Sequence, residues 1–570
     1  MNILRASIVI KIMKYSKLLS DYKLLLPFLF ILNLVGNGAW LFIQSTISSV
    51  ILVIVLSALF AVLEVLLFRI IPTSFLKAAF ATILIVLHNV VGIVDYFLLY
   101  HFGTVINHIV LDAVLLTNTG EASEFVTTYI SPLLFIVFLM AVIFVNIAAY
   151  ALSCYLNRFR KMVWTMYLIA AMTIVLILMN SIVFMLFKSK IITNSIMHNA
   201  ILRLNTEYFL YDHNIRMDAL LRICKEVTAV SNSERPMKIV IVIGESHSVY
   251  HTSLYGYEKQ TYPLMAARKS KEELYVMQNA VSMYDVTSST MWSVFSLDSL
   301  GNAPTAAPLF PAVFKAAGYR TYLFDNEYLK NNSAHIMTNS TLSDLIYDYR
   351  NSHYYEFDGE MVDDVHLSND SLALYIIHLS GHHFDYYQRY PASFAKYNAN
   401  DYEGSQTFEQ KKSIAAYDNA CLYNDYVIDK IIKKFEDENA LLVYFADHGE
   451  EIYDIRNFCG HMTSRTSPDP SYQLRVPLWV WLSVKYKDNH PDVVNRLQKS
   501  LNLHIKTDDI SHFLMDVAEI ETPGYSEQRS FISPSGYKEW KSFSEIINAG
   551  GLNIDEGNNA RDFHISLDEQ

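Results

Sequence analysis

Two apolar runs in this 570-residue chain end on residues that bind metal ions. Ala440-Leu-Leu-Val-Tyr-Phe445 leads into Asp447-His448-Gly449-Glu450, and Lys238-Ile-Val-Ile-Val-Ile-Gly244 leads into Glu245-Ser246. Both runs read as buried strands. In an open α/β sheet, ligands bind outside the carboxyl ends of the strands. The two ends therefore predict one oxygen/nitrogen metal site of zinc or manganese type. Three more groups follow strand-like runs or lie near them: the hydroxyl-rich Thr287-Ser-Ser-Thr290-Met-Trp-Ser293, the run His378-Leu-Ser-Gly-His382-His383, and His461, thirteen residues after His448. Together they suit attack by a hydroxyl on a phosphorus or sulfur ester. A metal ion depresses the hydroxyl pKa and neutralises charge on the transferring group. Histidines can hold the phosphoryl oxygens, bind a second metal or protonate the leaving group. By residue type alone, Thr290 and Ser246 are both candidate nucleophiles.

Elements that alternate between strand and helix must position these groups. Strands are predicted over 238–243, 274–278, 319–325, 372–378, 440–446 and 476–482, and helices over Pro308–Ala317 and Gln410–Asp437. This alternation predicts a mostly parallel sheet covered on both faces. The final 40 residues, from Phe531, are polar and poorly periodic, and read as a loosely packed tail.

The first third has a different character. The mean hydropathy is +0.18, but the apolar residues concentrate in Leu24–Ile43, Val50–Phe68, Ala78–Leu99, Pro132–Leu152 and Val163–Phe187. Each is near the ~20 residues that cross a bilayer. Arg5, Lys11, Lys14, Lys17 and Lys23 precede the first span, Arg69 and Lys77 follow the second, and Arg158, Arg160 and Lys161 follow the fourth. The loop between the third and fourth spans carries Asp112, Glu121 and Glu124 without Lys or Arg. The positive-inside rule then puts the N-terminus in the cytoplasm and everything after Phe187 outside. Three regions are expected: a five-span helical bundle over 1–188, amphipathic linker helices over 189–237, and an external α/β domain over 238–570. Glu64 and Asp95, in or near spans, are functional candidates by position. The net charge of −12 argues against nucleic acid as a partner. Of four cysteines three lie in the external part, which allows at most one disulfide there.

In combination these motifs resemble a known family. The external domain resembles the alkaline-phosphatase/sulfatase superfamily. The whole chain resembles the membrane-anchored phosphoethanolamine transferases that modify lipid A, the family that includes the mobile colistin-resistance enzymes. The resemblance rests on Ile243-Gly-Glu-Ser246, Thr290-Met-Trp-Ser-Val294, the His-rich run into Arg389-Tyr-Pro391, Tyr417-Asp-Asn with Asp425-Tyr-Val-Ile-Asp-Lys430, and Ala446-Asp-His-Gly-Glu450. It implies zinc held by Glu245, Thr290, Asp447 and His448, with a second ion conceivable, and Thr290 as the nucleophile. His461 and one of His382 or His383 match phosphate-side histidines, Glu450 matches a secondary acidic site, and Asn326 and Lys330 resemble substrate-side residues. Thr117 and Glu121, between the third and fourth spans, resemble a membrane-proximal lipid-substrate segment. The implied reaction carries phosphoethanolamine from phosphatidylethanolamine, through a phospho-Thr, to lipid A or another envelope glycan. The implied location is the bacterial inner membrane with the domain in the periplasm, and polymyxin resistance is the implied consequence. A glycerol-phosphate transferase would share the site, and a non-catalytic membrane sensor or scaffold is the alternative of another class. A sulfatase would need Cys or Ser in a Cys/Ser-x-Pro-x-Arg context, which is absent from the chain.

Overall fold

The computed structural model describes residues 21–43, 47–102, scattered positions from 105 to 131, 132–156, 217–233, 235–298, 307–327, 339–461, 467–538 and a few positions from 540 to 546. They fall into two compact units, one helical and one α/β.

The helical unit contains α1 (Tyr22–Gly38), α2 (Ile47–Ile70), α3 (Ser74–Phe102) and α4 (Pro132–Leu156). These cover the first four expected spans. Three helical stretches, Val53–Ile70, Ser74–Phe102 and Pro132–Tyr155, are long and apolar enough to cross a membrane, and α1 is a shorter apolar helix. The fifth expected span lies outside the described residues, as does 189–216 of the linker. Inside the unit, Asn33 of α1, Glu64 of α2 and His88 of α3 form a buried polar trio. Asn33 donates to Glu64 Oε2 at 3.1 Å, and His88 Nε2 lies 2.9 Å from Glu64 Oε1. Polar bonds of this kind join helices that apolar packing alone would let slide. Asp95 accepts a bond from the Ile106 backbone N–H at 3.1 Å.

The α/β unit is built on seven strands: β1 (Met237–Gly244), β2 (Leu274–Met277), β3 (Arg320–Asp325), β4 (Tyr349–Arg350), β5 (Leu372–His378), β6 (Ala440–Ala446) and β7 (Leu478–Leu482). Their spatial order is β2-β7-β6-β1-β5-β3-β4. From β6 to β4 every pairing is parallel, while β7 runs antiparallel to both β2 and β6. The central strands β1 and β6 are buried along their whole length, which is why they read as unbroken apolar runs rather than alternating ones. Apolar clusters cover the two faces. One holds α7 (Phe310–Ala316), and the other is closed by α8 (Phe408–Phe435). Two short helices complete the frame, α5 (Pro263–Ser270) and α6 (Thr287–Phe295). Among the described residues, which include all four cysteines, no disulfide is formed.

The start of the supposed loose tail is instead packed. Phe531 and Ile532 are 1% and 2% exposed, and Phe531 stacks on Phe513 at 4.3 Å. Ile546 is buried against Val281, Met283 and Leu474. Isolated apolar anchors of this sort leave no periodic trace in a sequence.

Candidate active site

Four adjacent parallel strands, β6, β1, β5 and β3, deliver their carboxyl ends side by side. Gly244 pairs with Ala446, Ile243 with His378, and Asp325 with His378. The residues that follow must therefore converge. Ligand atoms of Glu245, Asp447 and His448 lie within 4.8 Å of one another, and all three side chains are fully buried. His448 Nε2 is 3.1 Å from Asp447 Oδ2 and 3.6 Å from Glu245 Oε1.

Two hydroxyls are bonded to this cluster, those of Ser246 and Thr287, and the one that touches both Glu245 and His448 belongs to Thr287. Thr287 Oγ1 donates to Glu245 Oε2 at 3.2 Å and lies 3.3 Å from His448 Nε2. Thr290, expected as both ligand and nucleophile, sits one helical turn further on. Its Oγ1 is engaged by Ser282 Oγ at 3.3 Å and by the Tyr284 carbonyl at 3.4 Å. The difference follows from where α6 starts. Thr287 is its first residue, while the Thr290 N–H already bonds the Val286 carbonyl inside the helix. The N–H groups of a first turn have no partner within the helix and favour an anion, so Thr287 stands where an anionic group is favoured.

Ser246, the other candidate nucleophile, serves the cluster from behind. It is fully buried, and its hydroxyl donates to Glu245 Oε1 at 2.7 Å. Its N–H donates to Asp447 Oδ1 at 3.0 Å. These bonds require the left-handed backbone at Ser246, φ 53°, a costly conformation for a non-glycine residue.

Electrostatics set the three side chains apart. Burial, then the nearby carboxylates of Asp447 and Glu327, push the Glu245 carboxyl well above the usual range. Burial alone would raise Asp447 as well, but His448 and donated hydrogen bonds hold it below its ordinary value. Burial lowers His448, keeping its imidazole neutral. Among the described residues the buried Asp447 Oδ2 accepts no hydrogen bond, and its ion-pair neighbour is His448 Nε2 at 3.1 Å. An uncompensated carboxylate oxygen inside a protein is expensive. Two carboxylates and a neutral imidazole around that oxygen form a donor set that fits zinc.

A second group adjoins the first through His448. His461 Nδ1 is 2.8 Å from Glu450 Oε2, and the His448 and His461 rings are 4.1 Å apart. Tyr386 donates to Glu450 Oε1 at 2.7 Å. Burial works against a charge on His461, yet Glu450 raises its pKa overall. Of the adjacent histidines, His382 is buried, with Nδ1 3.2 Å from the Glu245 carbonyl and its ring stacked on His247. Burial drops its pKa to about 3. His382 is thus part of the packing that backs Glu245, while His383 is half-buried beside Phe384. Asn326 is turned to structure: it donates to Asp358 Oδ1 and accepts from the Tyr355 N–H, each at 2.9 Å. Lys330, Thr117 and Glu121 lie outside the described residues.

The Tyr417-Asp-Asn motif, to which the chain's pattern assigned no task, also supports the site. Tyr417 OH donates to the Ser246 carbonyl at 2.6 Å and accepts from the Ser248 N–H at 2.8 Å. Asp418 holds His251, and Asn419 holds the backbone at 396 and 397. Asp425 accepts from the Leu264 and Met265 N–H groups at the start of α5.

Residues 238–520 match the sulfatase family. This stretch belongs to that family. The sulfatase-family domain has curated relatives of more specific kind. One is a phosphoethanolamine transferase, EptC, of Escherichia coli O18:K1:H7, 28% identical over 354 residues, 58% of this chain and 60% of the relative. Another is the Kdo(2)-lipid A phosphoethanolamine 7''-transferase of Escherichia coli K12, 29% identical over 269 residues, 44% of this chain and 45% of the relative. The chain thus matches about half to three fifths of the length of these relatives. In fold it resembles the integral membrane lipooligosaccharide phosphoethanolamine transferase A of Neisseria meningitidis. The TM-score is 0.59 at 18% identity, over 89% of this chain and 98% of that one.

Proposed function

We propose that this chain transfers phosphoethanolamine from phosphatidylethanolamine to lipid A or another envelope glycan, through a covalent intermediate on Thr287. The observation that carries the reading is the Thr287 hydroxyl, hydrogen-bonded at once to Glu245 and His448 at the open end of the strands. The names of the two curated relatives support the transferred group. Residues 1–188 are the membrane anchor, 189–237 the link and 238–570 the catalytic domain, on the periplasmic side of a bacterial inner membrane. Anchoring suits a reaction whose donor and acceptor are both lipids, because it confines the site to their plane.

Glu245, Asp447 and His448 would hold zinc, which when bound would depress the pKa of a coordinated hydroxyl and neutralise phosphoryl charge. Thr287 Oγ attacks phosphorus as its proton passes to Glu245 Oε2, to which it is hydrogen-bonded and from which the proton returns in the second step. The bond from phosphorus to the diacylglycerol oxygen breaks, and diacylglycerol leaves with a proton. His461, held by Glu450, is placed to donate that proton. An acceptor oxygen then attacks the same phosphorus and the bond to Thr287 Oγ breaks, restoring the hydroxyl. The half-buried His383 is available to phosphate oxygens.

Mass spectrometry of lipid A from cells with and without the protein tests both group and acceptor. The expected gain is one phosphoethanolamine unit, lost in Thr287→Ala and retained in Thr290→Ala. The opposite pattern in the two variants would return the nucleophile to Thr290, and no gain with the intact protein would remove the acceptor assignment.

A further inference from the structure

Behind Glu245, on the side away from β6, lies a group of ligand-type side chains that the proposed reaction does not use. Glu327 follows β3 and His378 ends β5, and with Glu245 their ligand atoms lie within 4.8 Å of one another. His378 is fully buried and the Glu327 side chain is 5% exposed. Neither carboxylate oxygen of Glu327 has a hydrogen-bond partner among the described residues, though His378 Nε2 is 3.2 Å from Oε2. A buried carboxylate is normally hydrogen-bonded or paired with a metal.

The arrangement around His378 is the one metal-binding imidazoles adopt. Its Nδ1 lies 3.1 Å from Asp325 Oδ1, so the Nδ1–H can donate to that carboxylate. Such a bond fixes the tautomer in which Nε2 is the unprotonated nitrogen and raises its basicity. Nε2 then faces Glu327 and Glu245. Asp325 is itself anchored, because its Oδ1 accepts the Glu327 N–H at 2.9 Å. Glu245 is crowded by carboxylates on both flanks, Asp447 on one and Glu327 on the other. With one cation among Glu245, Asp447 and His448, the partner left to Glu327 among the described residues is His378, with Nε2 3.2 Å from Oε2.

We propose that Glu327 and His378, sharing Glu245, hold a second divalent cation next to the Glu245–Asp447–His448 cluster. Two carboxylates and an imidazole suit zinc or manganese. The site shares one ligand with the proposed catalytic zinc but does not depend on that zinc's part in catalysis. Its competitor is a metal-free arrangement in which His378 is an imidazolium between Asp325 and Glu327.

The test is metal stoichiometry on the full chain in detergent, stripped with chelator and titrated with Zn2+ and separately with Mn2+. The wild type is expected to bind one equivalent more than Glu327→Gln, a nearly isosteric change. Asp447→Asn is expected to lose a different equivalent and to keep the one that depends on Glu327. Equal stoichiometry in wild type and Glu327→Gln would overturn the proposal and favour the imidazolium. Loss in Asp447→Asn alone would overturn it while leaving the catalytic zinc in place. Loss in Glu327→Gln alone would uphold this site and count against the other. Zinc anomalous scattering from crystals of the wild-type chain removes any dependence on variant folding. A peak within bonding distance of Glu327 and His378 is expected, and no peak there would sink the site.

Discussion

At the scale of single residues, the difference between Thr287 and Thr290 is a matter of helix phase. Both sit in one hydroxyl-rich run, and residue types cannot say where α6 begins. The convergence of Glu245, Asp447 and His448 was legible because they directly follow long apolar strands. Ser246 was legible as a reactive type but not as a support, because its role depends on a left-handed backbone that no pattern announces. Its hydroxyl holds Glu245 Oε1, and groups that orient metal ligands are typically worth 10–100-fold in affinity or activity. Ser246→Ala is therefore expected to lower zinc affinity and transfer rate by about 10-fold or more with the fold retained. Isothermal titration with zinc measures this. A fall in rate with unchanged affinity would point instead to Ser246 as an attacking group.

At the scale of elements, the sheet was readable and its edges were not. The six predicted strands match β1, β2, β3, β5, β6 and β7 within a few residues, because buried parallel strands are continuous apolar runs. The two-residue β4 carries no such signal, and the reversed direction of β7 is set by the route of the chain. The convergence of Glu327 with His378 was equally hidden, since it needs the adjacency of β3 and β5. The motif on α8 was visible, but its meaning required the partner backbone. Tyr417 satisfies the Ser246 carbonyl and the Ser248 N–H in a fully buried setting. Tyr417→Phe leaves both unpaired, at an expected cost of about 1–3 kcal/mol, read as a shifted urea midpoint. Gly381 constrains the same loop from the other side. It has φ 51°, and a Cβ there would lie 2.8 Å from the Glu245 N. Gly381→Ala is expected to displace Glu245 and weaken zinc binding, whereas an unchanged zinc isotherm would show that the loop yields freely.

At the scale of the whole molecule, the buried carboxylates and histidines tie stability to any cation bound among them and to the protons they hold. Glu245 and Asp447 are fully buried and adjacent, so without a bound cation Glu245 must take up a proton or stand as a second charge beside Asp447 in low dielectric. A ligand at 100 times its Kd stabilises by about 2.7 kcal/mol. Chelation should therefore lower the Tm and added Zn2+ restore it, and a Tm indifferent to both would count against a resident metal.

The proton counterpart is His251, remote in role from the metal ligands. Its Nδ1 is 2.7 Å from Asp418 Oδ1 and its Nε2 is 3.3 Å from Asp454 Oδ1. Tyr257 and Tyr402 donate to the other Asp418 oxygen, so the carboxylate stays in place. Burial disfavours the imidazolium, but the two carboxylates outweigh it and raise the pKa from 6.5 to about 10. The native state thus binds this proton more tightly than the unfolded chain does. The resulting stabilisation is complete below pH 6.5 and disappears as the pH climbs through about 10. The network joins the loop after β1, the helix α8 and the segment at Asp454, so its loss should be felt globally rather than as a frayed end. The Tm difference between wild type and His251→Gln should accordingly be largest near pH 6.5 and shrink steadily toward about pH 10. A difference that stays constant over that range would mean that His251 is neutral in the fold and that its bonds to Asp418 and Asp454 act without a charge.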